Sequence, residues 1–436
     1  MESVEQRISD SDTGAASTAV RSEAGVEKRA RSVALMLAVM IALAILSQFF
    51  RSSNGVIAPE LMKDLAIDSS DIGWSSGSFF FIFAILQIPI GVFFDRFGAR
   101  RVVSYMLIFA IAGSWVFAAA HSIGPLVAGR FLIGLGFAGG MVGSLVILAR
   151  WHSPTGFTQA MTLLFASANV GSLLATLPLA AANEWIGWRL TFVVLGVVTA
   201  IVGVMFFAVV RDAPPDNLDR KRPDSLADSF RGVREVFFVP GLMNVLPMIA
   251  VGYSSIITIV GLWGGPYLHD TYGLDGVARG NLLSIMAVAL VAGTLAYGPV
   301  QRRVGRFRPV VIFGGGITAV LTLILAAMPT APLPITVCLM VAVCFTGAYS
   351  VALMGHGVAL VPAGLSGRGT TILNFVLMGG TALLQIGSGE VIKLAREAGS
   401  SMSAGYAVFF LLLGVLTLAA AAIYHRAPEP PAKDGR

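Results

Sequence analysis

Long apolar runs separated by short polar segments make up most of the chain from residue 33 onward. Twelve of these runs reach roughly 20 residues, the length that an α-helix needs to cross a hydrocarbon core of about 30 Å. They are too long for barrel strands and lack strict alternation, so the pattern predicts helices. We number them spans 1 to 12: residues 33–57, 72–94, 102–121, 124–149, 157–183, 189–211, 239–267, 277–300, 308–328, 333–357, 369–392 and 403–424.

Composition supports an all-α integral membrane protein in a lipid bilayer. The 436 residues are 56% hydrophobic and 12% charged, whereas soluble domains carry about 25% charged residues. The spans contain no clustered histidines, paired carboxylates or metal-ligand spacing, which argues against an enzyme and against a metal or other cofactor. Cys338 and Cys344 fall on different faces of span 10, so no disulfide is expected.

The basic residues predict the orientation of the chain. Of the 30 Lys and Arg residues, 23 lie in the two tails and in the loops after even-numbered spans, and five lie on the other side. Basic residues are retained in the cytoplasm, so both termini are expected there. The basic residues are spread over many loops and do not form the positively charged patch that would bind a nucleic acid. The remaining two, Arg51 and Arg130, fall inside spans.

An internal repeat divides the chain into two six-helix halves. "GVFFDRFGARR" begins at Gly91 after span 2, and "GPVQRRVGRFR" begins at Gly298 after span 8. Duplicated halves are a common layout of transporters, with the solute site between them. The predicted parts are a disordered tail (1–32), an N-terminal bundle (33–211), a charged linker (212–236), a C-terminal bundle (237–424) and a second tail (425–436).

These features resemble the major facilitator superfamily over nearly the whole chain. "RFLIGLGFAGG" in span 4 is similar to a second family motif, and the repeat after span 2 matches the family signature at Gly91, Asp95, Arg96, Gly98, Arg100 and Arg101. The resemblance implies two pseudo-symmetric six-helix bundles that work by alternating access.

The same resemblance implies that the signature is a conformational latch. Asp95 would face the N-terminus of span 11, where a helix carries roughly half a positive charge, and Arg96 would assist it. The alternative is a solvated turn whose basic residues only fix topology. Arg302 stands in Asp95's place in the second copy, so no matching latch onto span 5 is expected.

Charges inside spans are costly and usually functional. Arg130 lies about six residues into span 4, and its alternative is a snorkelling structural arginine. Arg51 lies inside the membrane if the helix continues through "NGVIA" to Pro59, since helices tend to end just ahead of a proline. If span 1 ends at residue 50, Arg51 lies outside.

In the family, spans 1, 4, 7 and 10 line the central cavity. The candidate solute-binding residues are therefore Gln48, Arg51, Arg130, Tyr253, Trp263 and Tyr349. Two arginines with amide and aromatic neighbours suit an organic anion such as a carboxylate, or an aromatic vitamin-like compound. For each of the three aromatic residues, ordinary packing or an interfacial belt is the alternative.

Few titratable residues lie inside the spans that could couple transport to a proton gradient. His356 in span 10 and Glu390 near the outer end of span 11 are the candidates for proton coupling, with a structural histidine as the alternative. No P-loop is present, which argues against ATP-driven transport.

Taken together, the sequence predicts a monomeric secondary transporter of the bacterial inner membrane. It would take up a small organic solute, coupled to protons or by facilitated diffusion. Two alternatives stay open: a drug or metabolite exporter of the same superfamily, against which span 5 lacks the Gly-Pro signature, and a non-transporting membrane sensor.

Overall fold

The computed structural model describes residues 31–214, 235–362, 365–399 and 401–430. In these ranges the chain is helical and contains no β-strand. Twelve helices are long and apolar enough to cross a membrane, which confirms the predicted fold class. Residues 1–30, most of the predicted linker and residues 431–436 lie outside the described part, so the domain boundaries remain predictions.

The helix bounds follow the predicted spans closely. The first half comprises span 1 (Arg31–Ser52 and Asn54–Leu65), span 2 (Ser69–Phe97), span 3 (Ala99–Ala118), span 4 (Ile123–Phe137 and Gly140–Trp151), span 5 (Pro154–Leu174) and span 6, the larger part of Leu177–Val209. The helix Leu177–Val209 turns at Gly187, where φ is +73°. Residues 177–186 therefore extend span 5.

The second half has the same order of elements. It comprises span 7 (Leu242–Thr258, a π-helical Ile259–Trp263 and Gly264–Tyr272), span 8 (Gly276–Val304), span 9 (Phe307–Ala327), span 10 (Leu333–Gly347 and Ser350–Leu360), span 11 (Ser366–Glu397) and span 12 (Met402–Tyr424). Because the spans are even in number, span 1 begins and span 12 ends on the same side of the bundle. We call this the termini side and the other the opposite side.

Local sequence explains where several helices begin. The Asp68 side chain accepts a hydrogen bond from the Asp71 N–H, and the Asp71 carboxylate accepts one from the Asp68 N–H. Asp275 and Ser401 accept from the backbone three residues on, at the starts of spans 8 and 12. Such caps satisfy N–H groups that have no partner inside the helix. They fix the turns on the opposite side.

The expectation that span 1 stops before Pro59 is wrong, because the helix Asn54–Leu65 runs through this residue. Proline has no N–H to donate to the carbonyl four residues earlier, here that of Gly55. This carbonyl packs directly against Gly265 of span 7. The neighbouring span thus accommodates the irregularity. Arg51 consequently lies within a continuing span, 14 residues or about 21 Å of helix before Leu65.

Spans 1, 4, 7 and 10 are each interrupted partway along. Span 1 breaks at Ser53, span 7 passes through the π-helical segment, and spans 4 and 10 break at residues 138–139 and 348–349. Breaks and π-segments inside membrane helices concentrate at functional sites. Each of the four spans expected to line the central cavity therefore carries irregular backbone, and span 5 carries a further break at residues 175–176.

The two halves meet through close helix contacts. Span 1 packs on span 7 so tightly that a Cβ on Gly55 would lie 2.7 Å from the carbonyl carbon of Gly261. Span 2 packs on span 11, where a Cβ on Gly73 would lie 2.8 Å from the Gln385 carbonyl oxygen. Small residues at such crossings let backbones approach where lipid supplies no hydrophobic drive.

Candidate functional site

Arg130 reaches across the first half to the break in span 1. Its Nη1 donates to the Phe50 carbonyl oxygen at 2.8 Å, and the Ser53 hydroxyl donates to the same oxygen at 3.1 Å. The guanidinium is fully buried and lies 4.9 Å from the centroid of the Phe79 ring. Arg130 therefore holds the backbone directly before Arg51, and it presents no surface to a solute in this conformation.

Arg51 is half-buried at the end of the first helix of span 1. Its guanidinium carbon lies 4.8 Å from the centroid of the Phe83 ring in span 2. Its Nε is buried and has no hydrogen-bond partner among the described residues. An arginine with an unused donor and a partly open guanidinium is equipped to bind an anion.

Gln48 lies one turn before Arg51 and is engaged with span 5. Its Nε2 donates to the Ser172 hydroxyl at 3.0 Å, and the Ser52 hydroxyl lies 3.4 Å from the same oxygen. The structure thus brings Gln48, Arg51 and Arg130 to one stretch of span 1.

Five neutral polar side chains form what we call the polar layer. Each is buried, with at most 3% of its surface exposed, and each has side-chain atoms without a partner among the described residues. Buried polar groups are nearly always hydrogen-bonded, so five unpaired ones between the halves stand out. The polar layer consists of Asn54, Ser76, Ser255, Thr258 and Gln385.

Helix register places the polar layer at one depth. Spans 7 and 11 run in the same direction, and the Ser254 hydroxyl lies 2.9 Å from that of Thr381. One turn further along both helices come Thr258 and Gln385. Another turn on, the Trp263 indole donates to the Ser388 hydroxyl at 2.8 Å.

Spans 1 and 2 complete the ring around this depth. Asn54 directly precedes Gly55, which touches Gly261 in span 7, and Arg51 lies one turn before Gly55. Ser76 lies one turn from Gly73, the residue that packs on Gln385. The contact between Arg51 and Phe83 joins spans 1 and 2. Arg51 therefore lies at the edge of the polar layer.

Beyond the polar layer, charged and polar groups join the halves at what we call the opposite-side seal. Arg279 of span 8 is 2% exposed and forms an ion pair with Glu60 of span 1. Glu390 of span 11 accepts hydrogen bonds from the Ser70 hydroxyl and the Trp74 indole of span 2. Glu184 accepts from the Val277 N–H at 3.0 Å. These contacts hold the opposite side closed.

Two aspartates near the seal accept hydrogen bonds from neighbouring side chains. Burial alone would raise the pKa of Asp68, but hydrogen bonds from Lys393 of span 11, at 3.0 Å, and from the Asp71 N–H hold it below its usual value. The Asp64 carboxylate accepts hydrogen bonds from the Trp188 indole at 3.0 Å and from Arg189 at 2.7 Å. Asp68 therefore adds a second ion pair between the halves.

The aromatic candidates do not join this site. The Trp263 ring packs beside Tyr406 and Phe409 within the second half. Tyr349 is fully buried under Gly252, and its hydroxyl has no partner in the described part of the chain. Tyr253 is half-buried. A solute-binding role for these three residues remains a prediction.

His356 lies away from the polar layer, near the termini side. Its Nδ1 is 2.6 Å from the Tyr424 hydroxyl, its Nε2 is 2.9 Å from the Pro428 carbonyl oxygen, and its ring stacks on Phe307. These contacts tie span 10 to span 12 and to the segment after it. The surroundings suit a structural histidine.

The signature residues after span 2 organise the termini side. Gly98 has a φ of +83°, and the Arg100 N–H donates to the Asp212 carboxylate at 2.8 Å. The Arg100 side chain donates to the Phe207 carbonyl oxygen at 2.9 Å. Gly91, Asp95, Arg96 and Arg101 are exposed, and the latch role of Asp95 remains a prediction.

The second half repeats this arrangement. The Glu429 carboxylate accepts from the N–H groups of Phe307 and Arg308 at the start of span 9, at 3.1 and 2.8 Å. Asp212 and Glu429 follow spans 6 and 12, so equivalent carboxylates cap equivalent helices.

Comparison with known proteins identifies the family of this fold. Residues 40–384 match the family described as the Major Facilitator Superfamily. The nitrate/nitrite transporter NrtP of Nostoc punctiforme is 31% identical over 177 residues, which cover 38% of this chain and 32% of that protein. The probable galactarate/D-glucarate transporter GarP of Escherichia coli K12 is 24% identical over 296 residues, covering 61% of this chain and 65% of that protein.

The chain spans between one third and two thirds of the length of these curated relatives. Among solved structures, a D-xylose-proton symporter superposes with a TM-score of 0.74 at 15% identity, covering 92% of this chain and 99% of that one. At that identity the likeness concerns the fold alone.

Proposed function

Because the chain belongs to the major facilitator superfamily, whose members are transporters rather than enzymes, we propose that it is a secondary active transporter of a small organic anion. Arg51 would bind the anionic group. The observation that carries the proposal is the half-buried guanidinium of Arg51, with an unused donor, at the edge of the polar layer between the halves.

The chemistry of arginine favours an anion. A guanidinium pairs with a carboxylate through two parallel hydrogen bonds, and burial strengthens the pair. The relatives point the same way, since NrtP is named for nitrate and nitrite and GarP for galactarate and D-glucarate. These solutes differ in size and chemistry but share negative charge.

We also propose a direction and a location. The excess of basic residues on the termini side supports cytoplasmic termini in a plasma (inner) membrane. The chain is then closed toward the outside in this conformation, and opening of the opposite-side seal would admit solute from there. Solute uptake by alternating access fits this arrangement.

Proton coupling is part of the proposal, and Glu390 is the better of the two candidates. Its carboxylate bridges span 11 to Ser70 and Trp74 of span 2, so separation of the halves would change its partners. His356 keeps its contacts within the second half. Solute accumulation in proteoliposomes, with and without a pH gradient, tests the coupling.

The test of the anion proposal is the substitution of Arg51. We expect Arg51→Lys to weaken binding of a carboxylate, because an ammonium cannot reproduce the two-pronged geometry. Arg51→Ala should weaken it further, by about 2 to 5 kcal/mol. Binding of carboxylates and of their uncharged primary amides to purified protein measures both changes.

The uncharged amides are the internal control. They form no ion pair, so their weaker binding should hardly change in Arg51→Ala. Equal losses for acid and amide would mean that Arg51 supports packing, and no loss for either would place it outside the site. In both cases the anion proposal would be wrong.

A further inference from the structure

The polar layer has hydrogen-bonding capacity that the described chain does not use. Both amide atoms of Asn54 and both of Gln385 are buried without a partner, as are the hydroxyls of Ser76, Ser255 and Thr258. Leaving such groups unpaired is unfavourable. A stable arrangement therefore calls for a partner from outside the chain.

We propose that the transported solute is a hydroxylated organic acid, whose carboxylate binds Arg51 and whose hydroxyl groups bind the polar layer. The inference rests on the proposed function and narrows its solute class. Two observations support the inference. Thr258 and Gln385 lie at the same depth, because spans 7 and 11 are parallel and the hydroxyls of Ser254 and Thr381 meet one turn before them. Arg51 lies one turn before Gly55, the residue of span 1 that packs on span 7.

The kinds of atoms in the polar layer distinguish between anion classes. An amide side chain offers both donors and an acceptor, and a serine or threonine hydroxyl offers one donor and accepts as well. A solute hydroxyl does both and can satisfy either end of Asn54 or Gln385. Nitrate only accepts, and an alkyl chain does neither. Of these three kinds of group, only the hydroxyl can donate a hydrogen bond to the amide oxygens of Asn54 and Gln385.

This match also links binding to closure. In the state described here, the halves pack against each other over the polar layer, and its polar groups lose contact with water. Closure around a solute without hydroxyls leaves them unpaired, whereas closure around a hydroxylated one pairs them. The correct solute therefore favours the closed layer, which is how specificity enters the transport cycle.

Matched pairs of acids test the proposal on the purified full-length protein. D-Gluconate and hexanoate share a six-carbon chain and one carboxylate, and D-glucarate and adipate share two; only the first of each pair carries hydroxyls. We expect the hydroxylated member of at least one pair to bind roughly 100-fold or more tightly than its partner and than nitrate. Calorimetry with these five compounds measures the ratios.

Two variants test whether the polar layer causes the preference for the hydroxylated acid. Asn54→Leu and Gln385→Met keep side-chain volume and remove hydrogen bonding, so each should reduce the preference for the hydroxylated acid roughly 10-fold. Thr381→Val is the matched control, because it removes a hydroxyl one turn from Gln385 that is already paired with Ser254. It should leave the ratio unchanged.

The outcomes separate the inference from the proposed function. If in neither pair the hydroxylated acid binds more tightly than its partner and than nitrate, or if both layer variants keep the wild-type ratio, the hydroxylated-acid assignment is wrong while the anion proposal stands. If wild type binds no anion and Arg51→Ala changes nothing, the proposed function itself fails. Because the ratio compares ligands on one sample, it does not depend on how well a variant folds.

Discussion

The two arginines of the first half that were predicted to lie inside the membrane, Arg51 and Arg130, have different surroundings. Arg51 is half-buried with its guanidinium over Phe83, whereas Arg130 is fully buried and bonded to the Phe50 carbonyl oxygen. The Nε and Nη2 of Arg130 have no partner among the described residues. A purely structural arginine tends to have such donors satisfied, and we therefore predict that Arg130 has a role in transport.

Arg130→Met tests that role. Ser53 still donates to the Phe50 carbonyl oxygen in this variant, and removal of a buried charge relieves a desolvation cost. We therefore expect the thermal unfolding midpoint to stay close to that of wild type. Transport should fall, by up to roughly 100-fold, because Arg51 loses the support that fixes its backbone.

Thermal unfolding and solute uptake on the same preparation measure the two effects. A large drop in the midpoint with unchanged turnover per folded molecule would make Arg130 a structural residue. The acid-to-amide binding ratio offers a second distinction, because Arg51→Ala should abolish that ratio and Arg130→Met should preserve it.

Residue chemistry was only partly predictable from the sequence. Arg51 and Arg130 were identifiable because a charge inside an apolar run is rare. Asn54 and Gln385 were not, since a neutral amide in a span can face a helix neighbour, lipid or a cavity. Their importance depends on which atoms remain unpaired after packing, and a linear pattern does not contain that information.

At the scale of elements, the crossing of spans 1 and 7 controls how closely the halves approach. A Cβ on Gly55 would lie 2.7 Å from backbone atoms of Gly261 and Leu262. Backbone cannot rotate away as a flexible side chain can. This crossing therefore tolerates no side chain while the opposite side is closed.

Gly55→Ala should consequently hold the halves apart on the opposite side. A reporter cysteine at Thr258, which is buried in the closed state, should then react faster with a membrane-impermeant maleimide added from that side. The native Cys338 and Cys344 would be replaced first. Gly387→Ala is the control, because a Cβ there meets nothing within 4 Å.

Faster labelling in Gly55→Ala alone supports the steric account. Equal labelling in both variants and in the parent would show that the crossing yields more readily than its backbone distances imply. Faster labelling in both variants would instead indicate that the whole helical bundle packs less tightly.

Helix number and helix length were predictable from hydropathy, but the interruptions were not. Apolar residues continue through the breaks in spans 4, 7 and 10, so the hydrophobic pattern shows no gap there. The break in span 1 falls in the polar stretch "RSSN" (51–54), where the sequence left open whether the span ends at residue 50. The other cue in span 1, Pro59, predicted a helix end in the wrong place. Packing of the Gly55 carbonyl against Gly265 overrides it.

At the scale of the whole molecule, contacts on the two sides of the bundle are expected to favour different states. The opposite-side seal stabilises the state described here, with the buried pair of Arg279 and Glu60 as its most enclosed contact. The predicted latch at Asp95 would stabilise the state closed on the termini side. If the halves move as rigid bodies, the two sets of contacts compete.

Because the seal and the latch compete, substitutions at the two sites should shift the equilibrium in opposite directions. Glu60→Gln leaves Arg279 buried beside a neutral amide, which destabilises the closed seal by about 3 to 5 kcal/mol if the charge stays buried. The Thr258 reporter cysteine should then label faster from the opposite side. Asp95→Asn weakens the latch and shifts the balance toward the sealed state, so labelling should slow.

The double variant is the decisive measurement. The substituted positions lie near opposite ends of the helical bundle, so their effects on one equilibrium should add. Labelling of the double variant should therefore fall between the rates of the two single variants. Slowing by Glu60→Gln would contradict the seal, and no change with Asp95→Asn would reduce the signature to a solvated turn. If each single variant behaves as expected but the double matches one of them, the two sides are not linked by rigid halves, and each opens on its own.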